Sequence, residues 1–190
     1  MKKNILILIL VIFSLAVPLT AQFYKVYGYG TPDKNEVELV LWNTFILSSD
    51  QSFSYFGEKV SSHHLWAHSL EMEYGLTDHF TVAAYVDFLD PAGKGIKYYR
   101  TRAVFFRYRF GEKGKFFFDP ALYIEYYFPR PSFKNYEELE VRLILEKDMN
   151  HFRLILNPKL EKITSGPKVD EGLEFNYSIG IYWKKRASIQ

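Results

Sequence analysis

Three histidines close together in the sequence are the first candidates for chemistry, because imidazole nitrogen is a common metal ligand. His63, His64 and His68 lie in a segment whose residues alternate between apolar and polar, which predicts a β-strand. Neighbouring side chains of a strand point to opposite faces, and positions four apart are separated by about 13 Å. Since no two of these histidines can bind one ion through local spacing, we predict a position beside a loop and no metal site.

A second candidate pairs His68 with the adjacent Ser69, which are the residue types of a base and a nucleophile. Such a pair must lie within hydrogen-bonding distance, whereas adjacent strand residues face opposite ways. A hydrolase site would therefore have to be assembled from distant strands. The segment Ala92-Gly93-Lys94-Gly95 has part of the composition of a phosphate-binding loop but lacks its spacing and its following helix, and we interpret it as a hairpin loop. We predict no catalytic residue and no cofactor.

Charged residues are the third candidates, because they recur at every second position of several segments whose other positions are large and apolar. Such strands fit a soluble sheet with its apolar face inward, or a membrane-spanning sheet with its apolar face outward. Under the membrane interpretation the polar faces form an interior charge network: Glu71, Glu73, Arg107, Arg109, Glu125, Glu138, Glu140, Arg142 and Glu174. The apolar faces then point to lipid at Leu70, Met72, Val141, Leu143, Phe175 and Ile179.

The alternating segments predict eight strands and no helix. The predicted strands are Glu36–Leu47, His63–Leu76, Phe80–Leu89, Lys97–Phe110, Phe116–Phe128, Glu137–Glu146, Phe152–Lys162 and Gly172–Trp183. The links alternate between long (48–62, 90–96, 129–136 and 163–171) and short (77–79, 111–115 and 147–151). Outer-membrane barrels have short turns at one end and longer loops at the other, and soluble strands are usually shorter than these. We therefore expect an all-β fold, an up-and-down antiparallel transmembrane β-barrel of about eight strands.

In the fourth predicted strand, a period of two places Arg100 and Arg102 on one face and Arg107 and Arg109 on the opposite face, so the two pairs cannot both point inward. We place Arg107 and Arg109 inward, where acidic residues of the second strand would offset the cost of removing them from water. Arg100 and Arg102 are then expected near the outer rim. The residues expected to face lipid in this strand are Val104, Phe106, Tyr108 and Phe110.

Many aromatic residues fall near the predicted strand ends, where the two interfacial girdles of a membrane barrel would lie. These are Phe45, Tyr74, Phe80, Phe88, Tyr99, Phe110, Tyr127, Phe128, Phe152 and Trp183. Side chains just fill the interior of an eight-stranded barrel, so the interior charges could form a plug. If further strands widened the barrel, the excess of acidic residues would favour passage of cations.

The first 21 residues have the pattern of an export signal. Lys2 and Lys3 precede the apolar run 5–17, and Ala21 ends a stretch suited to cleavage. Without this segment the 24 basic residues become 22, equal to the 22 acidic residues, so the net charge gives no indication of nucleic-acid binding. The chain has no cysteine, which excludes disulfide scaffolds, thiolate metal sites and thiol enzymes.

The run Gly75-Leu76-Thr77-Asp78, set between two strands, resembles the periplasmic turn of a large group of bacterial outer-membrane β-barrels, often transporter-like or uncharacterised. The segments 107–110 and 172–175 are similar to segments that those proteins carry. The resemblance implies contact with outer-membrane lipid and with the outer-membrane assembly machinery. Such barrels usually end on an aromatic residue, whereas this chain ends Ser188-Ile189-Gln190. If the chain is a truncated form that lacks further strands, eight strands is a lower bound.

These observations predict a signal peptide (1–21), an irregular lead-in (22–35), a barrel (36–183) and a tail (184–190). The expected role is membrane-structural or solute-transport-like in the bacterial outer membrane, and not enzymatic. One alternative is a secreted, lipocalin-like barrel that binds a small ligand with its apolar face inward. A less favoured alternative is an outer-membrane lipid hydrolase. The substrate and the oligomeric state stay open.

Overall fold

The computed structural model describes residues 26–56, 58–129 and 136–184. The predicted export segment, residues 22–25 of the lead-in and residues 185–190 of the tail lie outside these ranges. No helix among the described residues is long and apolar enough to cross a membrane.

The described chain is all-β and its main element is an antiparallel sheet of eight strands. The strands in chain order are β1 (Val37–Ile46), β2 (Ser52–Tyr55), β3 (Glu58–Ser61), β4 (Leu65–Gly75), β5 (Phe80–Asp90), β6 (Lys97–Arg109), β7 (Asp119–Pro129), β8 (Glu137–Met149), β9 (Phe152–Ser165) and β10 (Glu174–Trp183). The order across the sheet is β1-β4-β5-β6-β7-β8-β9-β10, and β2 and β3 form a separate hairpin. Each long strand therefore pairs with the next long strand along the chain, which confirms the predicted antiparallel all-β class.

Two of the predicted links are wrong. The segment 48–62 contains the hairpin β2–β3, whose strands of four residues are too short to give a periodic signal. The link between β6 and β7 covers residues 110–118, because Phe116, Phe117 and Phe118 precede the strand that they were predicted to begin. This link is longer than the link 91–96 at the other end of the strands, so the alternation of link lengths is incomplete.

The two faces of the sheet differ sharply in burial. On one face the side chains of Leu39 and Phe175 are 68% and 63% exposed, while on the other Glu125 and Glu140 are fully buried. Side chains from strands that are not neighbours meet on the polar face, where Arg102 of β6 binds Ser69 of β4. The sheet must therefore curve towards its polar face, which becomes the interior.

β6 reaches this arrangement through a β-bulge, and this finding corrects the predicted phase. The pairing of β6 with β7 shifts by one residue between Val104 and Phe106, and its pairing with β5 shifts by one residue between Val104 and Arg107. One inserted residue reverses the side-chain phase of a strand. Arg102 and Arg107 are consequently both buried, on the same face. Val104 is also buried there and does not face outward, as the constant period had predicted.

Candidate functional site

The centre of the interior is an ion-pair network around Arg102. Its guanidinium donates to Asp87 at 2.7 and 3.0 Å, to Glu125 at 2.6 Å and to Ser69 at 2.9 Å. It also lies 4.0 Å from the ring centroid of Tyr85. Burying a charge is costly unless that charge is paired and hydrogen-bonded. Arg102 therefore supplies the charge that lets two carboxylates occupy the middle of the interior.

A second group lies closer to the short turns. Arg107 of β6 binds Glu73 of β4 at 2.9 Å. Glu71, two residues along, accepts hydrogen bonds from the Tyr85 hydroxyl and from the Trp42 indole. These contacts join β1, β4, β5 and β6 on the interior side.

A third group lies closer to the long loops. Glu140 of β8 binds Arg142 at 2.7 Å and Lys159 of β9 at 3.5 Å, and it accepts a hydrogen bond from the Tyr127 hydroxyl at 3.0 Å. Lys159 also binds Glu161 at 2.5 Å. Contacts within β8 and within β9 are thus joined to contacts between strands, from Lys159 and Tyr127 to Glu140, and together they hold these side chains in one arrangement.

Residues 26–30 run through this interior, and we call them the occluding segment. The side-chain amide of Asn157 accepts from the Tyr27 amide at 2.7 Å and donates to the Tyr27 carbonyl at 3.1 Å. Glu146 accepts from the Tyr29 amide at 2.8 Å. Arg107 donates to the carbonyls of Gly28 and Gly30 at 2.8 and 2.7 Å. Side chains of β6, β8 and β9 therefore satisfy the backbone of this segment.

The two tyrosines of the occluding segment fill the space between the strands. Tyr27 is 4% exposed, and its ring centroid lies 4.9 Å from that of Tyr123 and 6.3 Å from that of Trp42. Burial raises the pKa of the Tyr27 hydroxyl to about 12, so this group stays neutral at physiological pH. Tyr29 is fully buried and donates to the carbonyl of Gly111 in the link after β6.

Above the occluding segment the interior opens towards the long loops. A cavity of about 110 Å³ lies against Tyr27, Arg102 and Arg142. A wider cavity of about 470 Å³, the vestibule, follows, and Lys159 lines both. The other vestibule residues that matter for the chemistry are Tyr99, Arg100, Tyr136, Glu138, Glu161 and Glu174. Burial raises the pKa of the Tyr136 hydroxyl to about 12.

The hairpin β2–β3 forms part of the vestibule wall. The Tyr55 hydroxyl lies 3.1 Å from both the Leu89 and the Gly95 carbonyl and is placed to donate to them, and the Lys97 ammonium lies 4.5 Å from the Phe56 ring centroid. These contacts hold the hairpin against the loop ends of β5 and β6.

All nine residues of the predicted charge network lie on the interior side of the sheet, and they differ in burial. Glu71, Glu73, Arg107, Glu125, Glu140 and Arg142 are buried. Glu138 and Arg109 are half-buried. Glu174 is exposed at the vestibule edge, where it accepts from Asn176 at 2.9 Å. The six residues predicted to face lipid, Leu70, Met72, Val141, Leu143, Phe175 and Ile179, lie on the opposite face and are exposed or half-buried.

Sequence reasoning missed Arg102 and Asn157 as interior residues and assigned Tyr99 and Tyr127 to an interfacial girdle. The structure places both tyrosines in the lining of the interior cavities, and the Arg100 guanidinium lies 4.5 Å from the Tyr127 ring centroid. The sequence did contain an indication of the position of Arg102, because a constant period of two places the arginines of β6 on opposite faces. Tyr27 and Asn157 are 130 positions apart, so no local pattern could have linked them.

The histidine candidates lie away from the interior network. His68 contacts Asn43 on the exposed face at 2.6 Å, whereas Ser69 points inward to Asp87, so the two do not meet. His63 and His64 lie in the loop before β4, with their ring centroids 3.9 Å apart and their planes tilted by 38°. Within the described residues, no three His, Cys, Asp or Glu side chains are grouped to hold a metal ion.

The arrangement as a whole is a set of paired charges closed by a segment of the same chain, with an open cavity at one end. The vestibule offers hydroxyl, carboxylate and guanidinium groups to a polar ligand, and Tyr27 lies against the smaller cavity. Comparisons of the chain with protein-family models, with curated proteins and with solved structures found no match.

Proposed function

We propose that this chain is an outer-membrane β-barrel with a membrane-structural or solute-transport-like role. One observation carries the proposal: the exposed face of the sheet is apolar and uncharged through its middle, while the charged side chains are buried on the other face. A water-soluble sheet has the reverse pattern, because hydration favours charges outside. The same reversal disfavours the lipocalin-like alternative, which needs the apolar face inward.

The positions of the outward-facing charges support a membrane orientation. Asp90, Glu137, Lys147 and Lys162 each lie no more than three residues from the end of a strand. Aromatic side chains also concentrate near both ends of this face. They include Phe45, Trp66, Tyr126 and Phe128 near the long loops, and Tyr74, Phe80, Tyr108, Phe110, Phe152 and Trp183 near the short turns. An uncharged band bordered by aromatic residues is what a barrel presents to a bilayer.

Closure of the sheet is part of the proposal, since an unpaired strand edge is not tolerated within lipid. β1 and β10 are the two ends of the strand order. Adjacent residues of the occluding segment touch both of these strands. Tyr27 packs near Trp42 of β1, and a Cβ built on Gly180 of β10 would lie 2.8 Å from Val26. The occluding segment thus contacts both edge strands, which are not paired with each other in the described sheet, and we infer that they pair in a bilayer.

A cysteine scan tests this closure cleanly, because the chain has no native cysteine. Thr44→Cys in β1 is combined in turn with cysteine at each interior-facing position of β10 from Asn176 to Gly180. Closure within one chain predicts that one combination forms an intramolecular disulfide, seen as a faster-migrating monomer after oxidation. A covalent dimer instead would show that the edges pair between two copies.

Membrane location is tested by fractionating cells that express the full chain and by comparing heated with unheated samples on a gel. We expect the protein in the outer-membrane fraction, with a shift in migration on heating. A freely soluble protein that migrates identically under both conditions would refute the proposal. Steady conductance of the unmodified protein in planar bilayers would show that the protein acts as a channel and that its role is not only structural.

A further inference from the structure

We propose that Arg107, Glu146 and Asn157 form a binding site for an extended peptide, and that the occluding segment occupies this site as a displaceable plug. The inference rests on the proposed membrane function and adds a control of passage to it. These three side chains come from three strands and contact five backbone groups of one short segment. Such a set of donors and acceptors is built for a peptide backbone.

The site also selects small residues between two aromatic ones. A Cβ added to Gly28 would lie 3.2 Å from a carboxylate oxygen of Glu146, so a larger residue would press on that hydrogen-bonding group. On either side of Gly28, the rings of Tyr27 and Tyr29 are buried in separate positions. The ligand class is therefore an extended peptide with a glycine between two tyrosines.

The occluding segment is held differently from the strands. Within the described residues, its backbone makes no hydrogen bond with the backbone of a strand, and its hydrogen bonds to the strands come from side chains. Removing it would leave every strand pairing of the sheet intact. Displacement therefore need not unfold the sheet.

The position of the segment explains what displacement would do. Tyr27 forms the floor of the cavity that continues into the vestibule, and Tyr29 reaches the link after β6 at the other end. Withdrawal of the segment would join the two ends of the interior. The buried charged residues there are Glu71, Glu73, Asp87, Asp119, Glu125, Glu140, Glu146 and Glu161, against Arg102, Arg107, Arg142 and Lys159. Because acidic groups outnumber basic ones, the opened path should favour cations.

The first test is Asn157→Ala, which removes both hydrogen bonds to the Tyr27 backbone. The matched control is Asn176→Ala, since Asn176 also faces the interior but contacts Glu161 and Glu174. In planar bilayers we expect at least tenfold more open time for Asn157→Ala than for the unmodified protein or the control, with cation selectivity. Equal open times for the two alanine variants would overturn the proposal. Tyr27→Ser serves as a second variant because it changes no strand residue, and it should open the path similarly.

A disulfide that fixes the occluding segment to β10 tests whether movement of this segment causes the conductance. Val26→Cys and Gly180→Cys are added to Asn157→Ala, since a Cβ built on Gly180 would lie 2.8 Å from Val26 Cγ1, with the Tyr182 ring, 2.7 Å from the same Cβ, required to shift. Oxidation should abolish the conductance and reduction should restore it. Conductance that persists in the oxidised, fully cross-linked protein would refute the role of the segment.

Addition of a free peptide tests the binding site itself. A synthetic peptide with the sequence of residues 26–31, added in excess to the Tyr27→Ser variant, should reduce its conductance. The same peptide with both tyrosines replaced by alanine should not. If neither peptide has an effect, or both act equally, the site does not bind peptides as proposed. Failure of the membrane proposal would appear separately, as absence of bilayer insertion by the unmodified protein.

Discussion

Replacing Leu143 by arginine places a charge at the centre of the apolar face. Leu143 is the middle residue of β8, which spans Glu137–Met149, and it is 37% exposed. Met149 ends the same strand on the same face and is 45% exposed, so Met149→Arg is a matched control. Both positions are open enough for a water-soluble protein to accept arginine with little change in stability.

The geometry of β8 gives the expected magnitude. The six positions between Leu143 and Met149 span about 20 Å along the strand. With the usual strand tilt this is about 15 Å along the membrane normal, which exceeds half of an apolar band about 25 Å tall. Arginine at Leu143 should therefore lower the free energy of unfolding by about 2 to 4 kcal/mol, and at Met149 by at most about 1 kcal/mol.

The assay is reversible urea unfolding in phospholipid vesicles, followed by tryptophan fluorescence, with heat-dependent gel migration as a check on insertion. A lower free energy of unfolding for Leu143→Arg than for Met149→Arg would support a membrane orientation. In water, exposed substitutions usually change stability by less than about 0.5 kcal/mol. Equal stabilities of Leu143→Arg and Met149→Arg would therefore refute the reasoning, whatever their absolute values.

Three further substitutions test the interior, the lead-in and the vestibule wall. Arg102→Ala leaves the buried Glu125 without its ion-pair partner and leaves Asp87 paired with Arg100, and it should cost about 3 to 5 kcal/mol in urea unfolding, whereas Arg109→Ala, half-buried near the short turns, should cost much less. Gly75→Ala would press a methyl group onto a backbone carbonyl of the lead-in and should cost about 1 to 3 kcal/mol, while Gly172→Ala, with open space around it, should be neutral. Tyr55→Phe removes the hydroxyl contacts of the hairpin and should speed limited proteolysis of the 48–62 segment without changing the unfolding midpoint of the sheet. Unchanged stability in Arg102→Ala or Gly75→Ala would contradict the importance given to the contacts at these positions. Unchanged proteolysis in Tyr55→Phe would do the same for the hydroxyl contacts of the hairpin.

The long strands could be predicted from the sequence because one face of each is apolar and the other polar, and a period of two survives in all of them except β6, where a β-bulge interrupts it. Alternation alone could not decide which face points outward, because the sequence pattern is the same whether Leu143 faces the interior or the exterior. The structure separates these alternatives by burying Glu140 and exposing Leu143. That distinction depends on how all the strands curve together.

The errors have local physical causes. In β6 a constant period was assumed, although charges in opposite phases, at Arg102 and Arg107, were already a sign of an inserted residue. The hairpin β2–β3 is too short to show a period. Residues 26–35 of the lead-in contain no strand or helix, in agreement with the predicted irregular structure, but their place in the interior could not be predicted because their partners lie on strands far away in the sequence.

The occluding segment also has a consequence for the order of folding. Tyr27 lies near the beginning of the described chain, yet its amide partner Asn157 is 130 residues later, and Arg107 and Glu146 belong to two other strands. The place that receives the segment exists only when the sheet has formed from β6 through β7 and β8 to β9. Contacts between residues so distant in sequence form late, because a long loop must first be closed. The residues that come first in the described chain are therefore expected to be the last to dock, entering an interior that is still hydrated and displacing its water.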